Sequence, residues 1–168
     1  MTALFADDWL TRAEPARPAR SWTISFPAPA RMLSTNTVKH WRTTGPVKKA
    51  WREAMFVHAK HAKLPQGLRR VRIDIEMRFP VAARRDAPNY HQYLAKPLVD
   101  ALGPGRAYTI RTGKLAGTRV TEVGYGLIPD DTAQHLDGPH LTIGAPVGRK
   151  AGYGAVVVTI TDLSGKDT

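Results

Sequence analysis

An α+β domain, with a small mixed or antiparallel sheet and two main helices packed on it, is the architecture to which this sequence points. Three observations carry that expectation. Val71, Ile73, Ile75, Met77 and Phe79 alternate with Arg72, Asp74, Glu76 and Arg78, giving a strand with one apolar and one charged face. Val47, Trp51, Ala54, Met55, His58 and Ala62 recur at helical spacing. Ala155 to Thr161 is a β-branched run that suits a strand and little else.

The elements follow in order. Residues 1–20 are Ala-, Pro- and Arg-rich towards their end and read as a mobile arm. Trp22 to Phe26 alternates apolar and polar, so it predicts a short strand ended by Pro27 and Pro29. Arg31 to Thr44 has no clear period and reads as a surface loop, with Trp41 either in the core or facing a phosphate-binding surface. Pro46 is a good helix opener, so the first helix is expected from there to Leu64-Pro65. Val71 to Phe79 follows, stopped by Pro80. A second helix is expected from Leu94, because Pro97 is tolerated only in a first turn. Gly103 to Leu127 holds six glycines and reads as loop, with a hairpin between Tyr108–Arg111 and Arg119–Val123. Leu141–Ile143 and Ala155–Thr161 complete the strands, and residues 164–168 read as a frayed tail.

Composition bounds the function. A chain of 168 residues suits one domain, here residues 21–163, and 42% apolar residues argue against global disorder. No apolar run approaches the about 20 residues of a membrane span, and residues 1–20 lack the apolar centre of a signal peptide. The count of cysteines is zero, which excludes disulfides and thiolate metal sites and fits a reducing cytoplasm, the expected compartment. Net charge is +11, and Arg31 to Arg85 alone carries 14 Lys and Arg against Glu53, Asp74 and Glu76, a local excess of 14 − 3 = +11. Such a field attracts polyanions, nucleic acid first and an anionic membrane surface second. The membrane reading lacks a helix joining a strongly basic face to a large apolar one, so no membrane partner is expected.

The chemistry-bearing residues cluster along the second half of the domain. Arg84-Arg85-Asp86 lies just past a strand end, with Asn89 after it. Lys96 and Asp100 are four apart on one helix face, and Pro129-Asp130-Asp131 follows the Gly-rich segment. No Gly-x-x-x-x-Gly-Lys-Ser/Thr loop is present, so no nucleotide cofactor is expected. A zinc pattern and a serine-nucleophile elbow are also missing. What remains is carboxylates in a basic surface. Oxygen donors suit Mg²⁺, with Mn²⁺ the second candidate, and such an ion can activate water at a phosphodiester. Each feature also has a bland reading. Asp130-Asp131 can be a solvated turn, Arg84-Arg85-Asp86 a surface ion pair, and Lys96/Asp100 an intrahelical pair worth a few tenths of a kcal/mol. Lys48, Lys49 and Arg52 form either a DNA-facing or a merely solvated helix side.

Taken in order, these segments resemble the RusA family of Holliday junction resolvases, small basic endonucleases of bacteria and their phages. The resemblance runs from about Trp22 to Leu163. It starts with Ile24-Ser25-Phe26-Pro27 and continues through the helix at Pro46 and the strand at Val71. It centres on Arg84-Arg85-Asp86-x-x-Asn89, Lys96-x-x-x-Asp100-Ala101-Leu102 and Gly126-Leu127-Ile128-Pro129-Asp130-Asp131, and closes with the strand at Ala155. It implies a RusA-like homodimer that resolves four-way DNA junctions by paired, Mg²⁺-dependent phosphodiester hydrolysis, in a bacterial cell and phage- or prophage-encoded. It gives catalytic roles to Asp86, Asp131, Lys96 and Asp130, and metal contacts to Asp86, Asp130, Asp131 and Asp100. Nucleic-acid contacts fall to Arg84, Arg85, Asn89, Lys96, Lys48, Lys49 and Arg52. Pro88 stands where the family pattern has a second aspartate, and the segments Asn89–Lys96 and Leu102–Asp130 depart from it in length. Two other readings stay open: a catalytically impaired branched-DNA-binding protein of the same fold, and a nuclease for flaps or other replication intermediates.

Overall fold

The computed structural model describes residues 19–37 and 40–165. Most of the expected arm and the end of the expected tail therefore lie outside the described residues. Among the described residues, six strands and two α-helices run in the order β1 (Ser21–Pro27), α1 (Trp41–His61), β2 (Val71–Arg78), α2 (Lys96–Leu102), β3 (Arg106–Thr109), β4 (Arg119–Glu122), β5 (Leu136–Ile143) and β6 (Ala155–Asp162). The main sheet has the order β1-β6-β2-β5; β6 is antiparallel to β1 and β2, and β5 is parallel to β2. The β3–β4 hairpin is a separate two-stranded sheet. This is the expected α+β architecture, with a mixed sheet and two helices packed against it.

Strand alternation explains the core. Ile24 and Phe26 of β1, Val71, Ile73, Ile75 and Met77 of β2, and Val156, Val158 and Ile160 of β6 all face one side and are buried. Trp51, Met55 and Ala59 of α1 and Leu98, Val99, Ala101 and Leu102 of α2 close over them in one continuous cluster. The opposite sheet face is polar. There Arg72 pairs with Asp74 at 2.9 Å, Arg78 pairs with Glu76, and Thr23 meets Thr159.

Three element boundaries differ from expectation, each for a local reason. Helix α1 starts at Trp41, not at Pro46, because the His40 ring caps it: Nδ1 accepts the Arg42 N–H at 3.2 Å. Pro46 then sits inside the helix, where its missing N–H forfeits only the bond to the Arg42 carbonyl. Trp41 consequently stands out in solvent at 73% exposure, so the core reading for it fails. The second helical stretch starts at Ala87, not Leu94. A 3₁₀ turn, Ala87–Tyr90 with Pro88 in its opening, runs into one π turn, His91–Ala95, before α2. The Lys96 N–H reaches back to the His91 carbonyl, and this wider turn lets the chain pass Pro97 without ending the helix. Strand β5 starts at Leu136 rather than Leu141. Gly138-Pro139 hides its period by forming a bulge opposite Ile73, and a Cβ on Gly138 would lie 2.6 Å from the Ile73 carbonyl oxygen. As an edge strand, β5 tolerates the proline.

The segment between the hairpin and β5 is held on two sides. The N–H groups of Tyr125, Gly126 and Leu127 donate to the carbonyls of Ala101, Gly103 and Leu102, which satisfies the C-terminal end of α2. On its other side Gly126 and Leu127 accept from Gly67 and Leu68. Leu127 and Ile128 are fully buried, so the residues that follow them have a fixed exit. Among the described residues, no helix is long and apolar enough to cross a membrane.

Candidate active site

That exit delivers Pro129-Asp130-Asp131 beside α2. Lys96 opens α2 and Asp100 lies one turn on. The Lys96 ammonium donates to Asp100 Oδ1 at 3.2 Å and to Asp131 Oδ2 at 3.2 Å. The expected helical pair is therefore present, and it extends across 35 residues of sequence to the acidic turn. Burial would lower the Lys96 pKa, but the hydrogen bonds from its two carboxylate partners outweigh that and raise it above the ordinary lysine value. The ammonium thus keeps its charge throughout the neutral range.

Asp130 is held differently. Its Oδ1 accepts the Thr132 hydroxyl at 2.6 Å and the Thr132 N–H at 2.9 Å. These bonds, the hydroxyl first, pull its pKa below the usual carboxylate value, and His135 adds to the effect. His135 was not among the expected site residues. Its Nδ1 lies 2.6 Å from the Arg69 carbonyl, which can only accept, so Nδ1 carries the proton and Nε2 faces Asp130 Oδ2 at 3.9 Å. The only sequence signal for it is a histidine a few residues past an acidic pair.

Asp100, Asp130 and Asp131 line one cavity of about 150 Å³, with Arg52, Arg106, Val99, Gly103 and Pro104. The two arginines share Glu122, at 2.7 Å from Arg52 Nη1 and 2.5 Å from Arg106 Nε. Burial would raise the Glu122 pKa, yet these contacts, Arg106 foremost, lower it. Glu122 ties α1 to the hairpin and leaves the two guanidinium groups with a net positive charge at the wall. Arg52 is thereby turned inward, with only 16% of its side chain exposed, instead of standing on an open DNA-facing helix side.

The other expected residues are spread wider. Asp86 is exposed, does not line this cavity, and makes no side-chain capping bond to the 3₁₀ turn it precedes. Arg84 is exposed beside it. Arg85 folds back, its guanidinium 4.0 Å from the Phe79 ring centroid and donating to the Val81 and Ala83 carbonyls. The Asn89 carbonyl accepts the Thr35 N–H at 2.9 Å. Lys48 sits 5.2 Å from the Tyr93 ring, and Lys49 pairs with Glu53 on the exposed side of α1.

Among the described residues, no three His, Asp or Glu side chains converge as a ready metal cage. The donor set nonetheless suits Mg²⁺. Oxygen donors Asp100, Asp130 and Asp131 share one cavity, and Mg²⁺ commonly takes only one or two carboxylates, filling its remaining positions with water and phosphate oxygens.

A pH prediction arises from Asp130. A depressed folded pKa means its contribution to stability is present above the unfolded value and is lost as pH falls through the lower folded one. Replacing Thr132→Val removes the hydroxyl donor. The Asp130 carboxyl midpoint, followed by NMR, should move upward towards the ordinary aspartate value; an unmoved midpoint would contradict the hydroxyl's role.

No protein-family model and no curated protein sequence matches this chain.

Proposed function

We propose that this chain is a Mg²⁺-dependent, structure-selective endodeoxyribonuclease of the RusA type, acting on four-way DNA junctions as a homodimer. The observation that supports it most is the Lys96 ammonium held between Asp100 and Asp131, two carboxylates that with Asp130 line a cavity walled by Arg52 and Arg106. A cluster that joins carboxylates to fixed cations in a chain of net charge +11 suits phosphodiester chemistry.

In this reading Asp130, Asp131 and Asp100 hold the ion, with Asp86 the further carboxylate of the surface. A bound Mg²⁺, or Mn²⁺ in its place, supplies an activated water and charge neutralisation at the phosphate. Lys96 stays protonated and stabilises charge on the phosphate oxygens. Asp130, kept ionised by Thr132, remains an oxygen donor in mildly acidic solution. Lys48, Lys49, Arg84, Arg85 and Asn89 present the basic and polar surface that holds the backbone. Two such sites related by a two-fold axis would place paired nicks in a junction with matching symmetry.

A second reading rests on a specific observation. Lys96 already neutralises two of the cavity carboxylates, and Pro88 occupies the position at which the family pattern has an aspartate. A branched-DNA-binding protein without cleavage fits both. Nicking by wild type separates the two, and Lys96→Met tests the role of the lysine in the first. For an enzyme, junction cleavage should fall by roughly 10²-fold, as when a transition-state donor is removed. Junction affinity should weaken only as far as loss of one phosphate contact allows, with the salt slope shallower by about 1. Wild-type cleavage rates in that variant would remove Lys96 from the chemistry.

A further inference from the structure

A larger groove, of about 820 Å³, lies on the side of the molecule reached by Arg85. Phe79 and Tyr90 form its aromatic floor, their ring centroids 5.2 Å apart. Arg85, whose guanidinium covers Phe79, forms one wall; Arg31, His40 and Tyr153 form others. Among the described residues its lining includes hydroxyl side chains and no acidic residue. Tyr153 is 54% exposed, and the cations Arg149 and Lys150 precede it in an exposed turn. Beside the His40 wall, the exposed Trp41 ring stacks with His40 and carries the Arg42 guanidinium 5.5 Å from its centroid.

Tyr153 in the lining and Trp41 beside the His40 wall expose two aromatic rings to solvent, next to arginine and histidine and with no carboxylate among the described lining residues. The combination is what a single strand needs: cations along the phosphates and flat rings for unpaired bases. We propose that this groove binds a single-stranded segment of DNA, with Trp41 and Tyr153 as base-stacking platforms and Arg31, Arg85 and His40 facing the backbone. An acidic peptide would use the cations but leave the two rings idle. A closed duplex would hide its bases from them.

The inference goes beyond the nuclease reading, since it needs neither a metal nor Asp131. The test is fluorescence anisotropy of a labelled 15-mer oligothymidylate at fixed salt, without divalent metal. Wild type should bind, with quenching of indole emission. Trp41→Ala and Tyr153→Ala should each weaken binding by about tenfold, and Trp41→Ala should abolish most of the quenching. Leu115→Ala, exposed and apolar in the β3–β4 loop, should leave binding unchanged. Both aromatic side chains are exposed, so circular dichroism should show the variants folded. Unchanged affinity in both aromatic variants overturns the proposal. So does equal competition by a closed-end duplex or by polyglutamate. Loss of oligonucleotide binding in wild type overturns it without touching the nuclease reading, which is judged on junction cleavage.

Discussion

Asp131→Asn should reduce Mg²⁺-dependent junction cleavage by at least about 10²-fold while leaving junction affinity equal to or tighter than wild type. The substitution preserves shape and replaces one carboxylate oxygen, Oδ2 being the acceptor of the Lys96 ammonium at 3.2 Å. Asp131 is half-exposed, so its loss should change stability only by the small amount typical of exposed ion pairs, about 1 kcal/mol or less. Affinity should not suffer, because removing a negative charge from a phosphate-facing surface reduces repulsion. The change therefore separates chemistry from folding and from binding. Single-turnover cleavage, junction anisotropy and a melting curve on the same preparation measure all three. A variant that binds and cleaves at wild-type rates would exclude Asp131 as a ligand or catalytic group.

The second large effect is structural. Gly124→Ala should destabilise the protein by about 3 kcal/mol or more and disorganise the acidic cavity. An added Cβ would lie 2.3 Å from the Gly103 oxygen, 2.4 Å from the Pro104 carbonyl carbon and 2.5 Å from the Gly105 nitrogen. All three are backbone atoms, so no side chain can rotate away, and overpacking of this kind costs more than the usual surface change. Gly103 and Pro104 also line the cavity that holds Asp100, Asp130 and Asp131, so a displaced backbone there should reach the site. Gly103→Ala is the matched control. Its nearest atom is 3.7 Å from the added Cβ and its φ is −70°, so it should be neutral or stabilising by up to about 1 kcal/mol. Chemical denaturation of the pair decides the matter; equal stability in both variants would contradict the close approach.

Much of this fold could be read from the sequence because its strands face a single layer of helices. The alternation in Val71–Phe79 and the β-branched run at Ala155 report one buried face each, and both strands lie where expected. Helical spacing likewise picked out Trp51 and Met55, both fully buried. The misses share a cause, which is proline in a context that a local rule cannot anticipate. Pro46 looked like a helix start but a histidine cap lies upstream of it. Pro97 does lie in the first turn of α2, but Pro88 opens a 3₁₀ turn and a π turn ahead of it, and Gly138-Pro139 masked the first part of β5.

The site divides similarly. Lys96 and Asp100 could be paired from their four-residue spacing, whereas the bond from Lys96 to Asp131 depends on the backbone ladder between α2 and Gly126-Leu127. Arg52 carried no sign of Glu122, which lies 70 residues away and arrives on the hairpin. Nor does spacing show that Arg85 lays its guanidinium over Phe79 from its own strand end. Spacing could not show that Asp86 falls outside the cavity that gathers the other three carboxylates.

The most direct measurement is cleavage of a labelled four-way junction by the wild-type protein in Mg²⁺, beside a linear duplex and a flap of the same sequence and with a chelator control. The proposed function predicts paired, symmetric nicks in the junction that disappear with the chelator, and little cutting of the linear duplex. Tight, salt-sensitive junction binding with no nick in either Mg²⁺ or Mn²⁺ would contradict it.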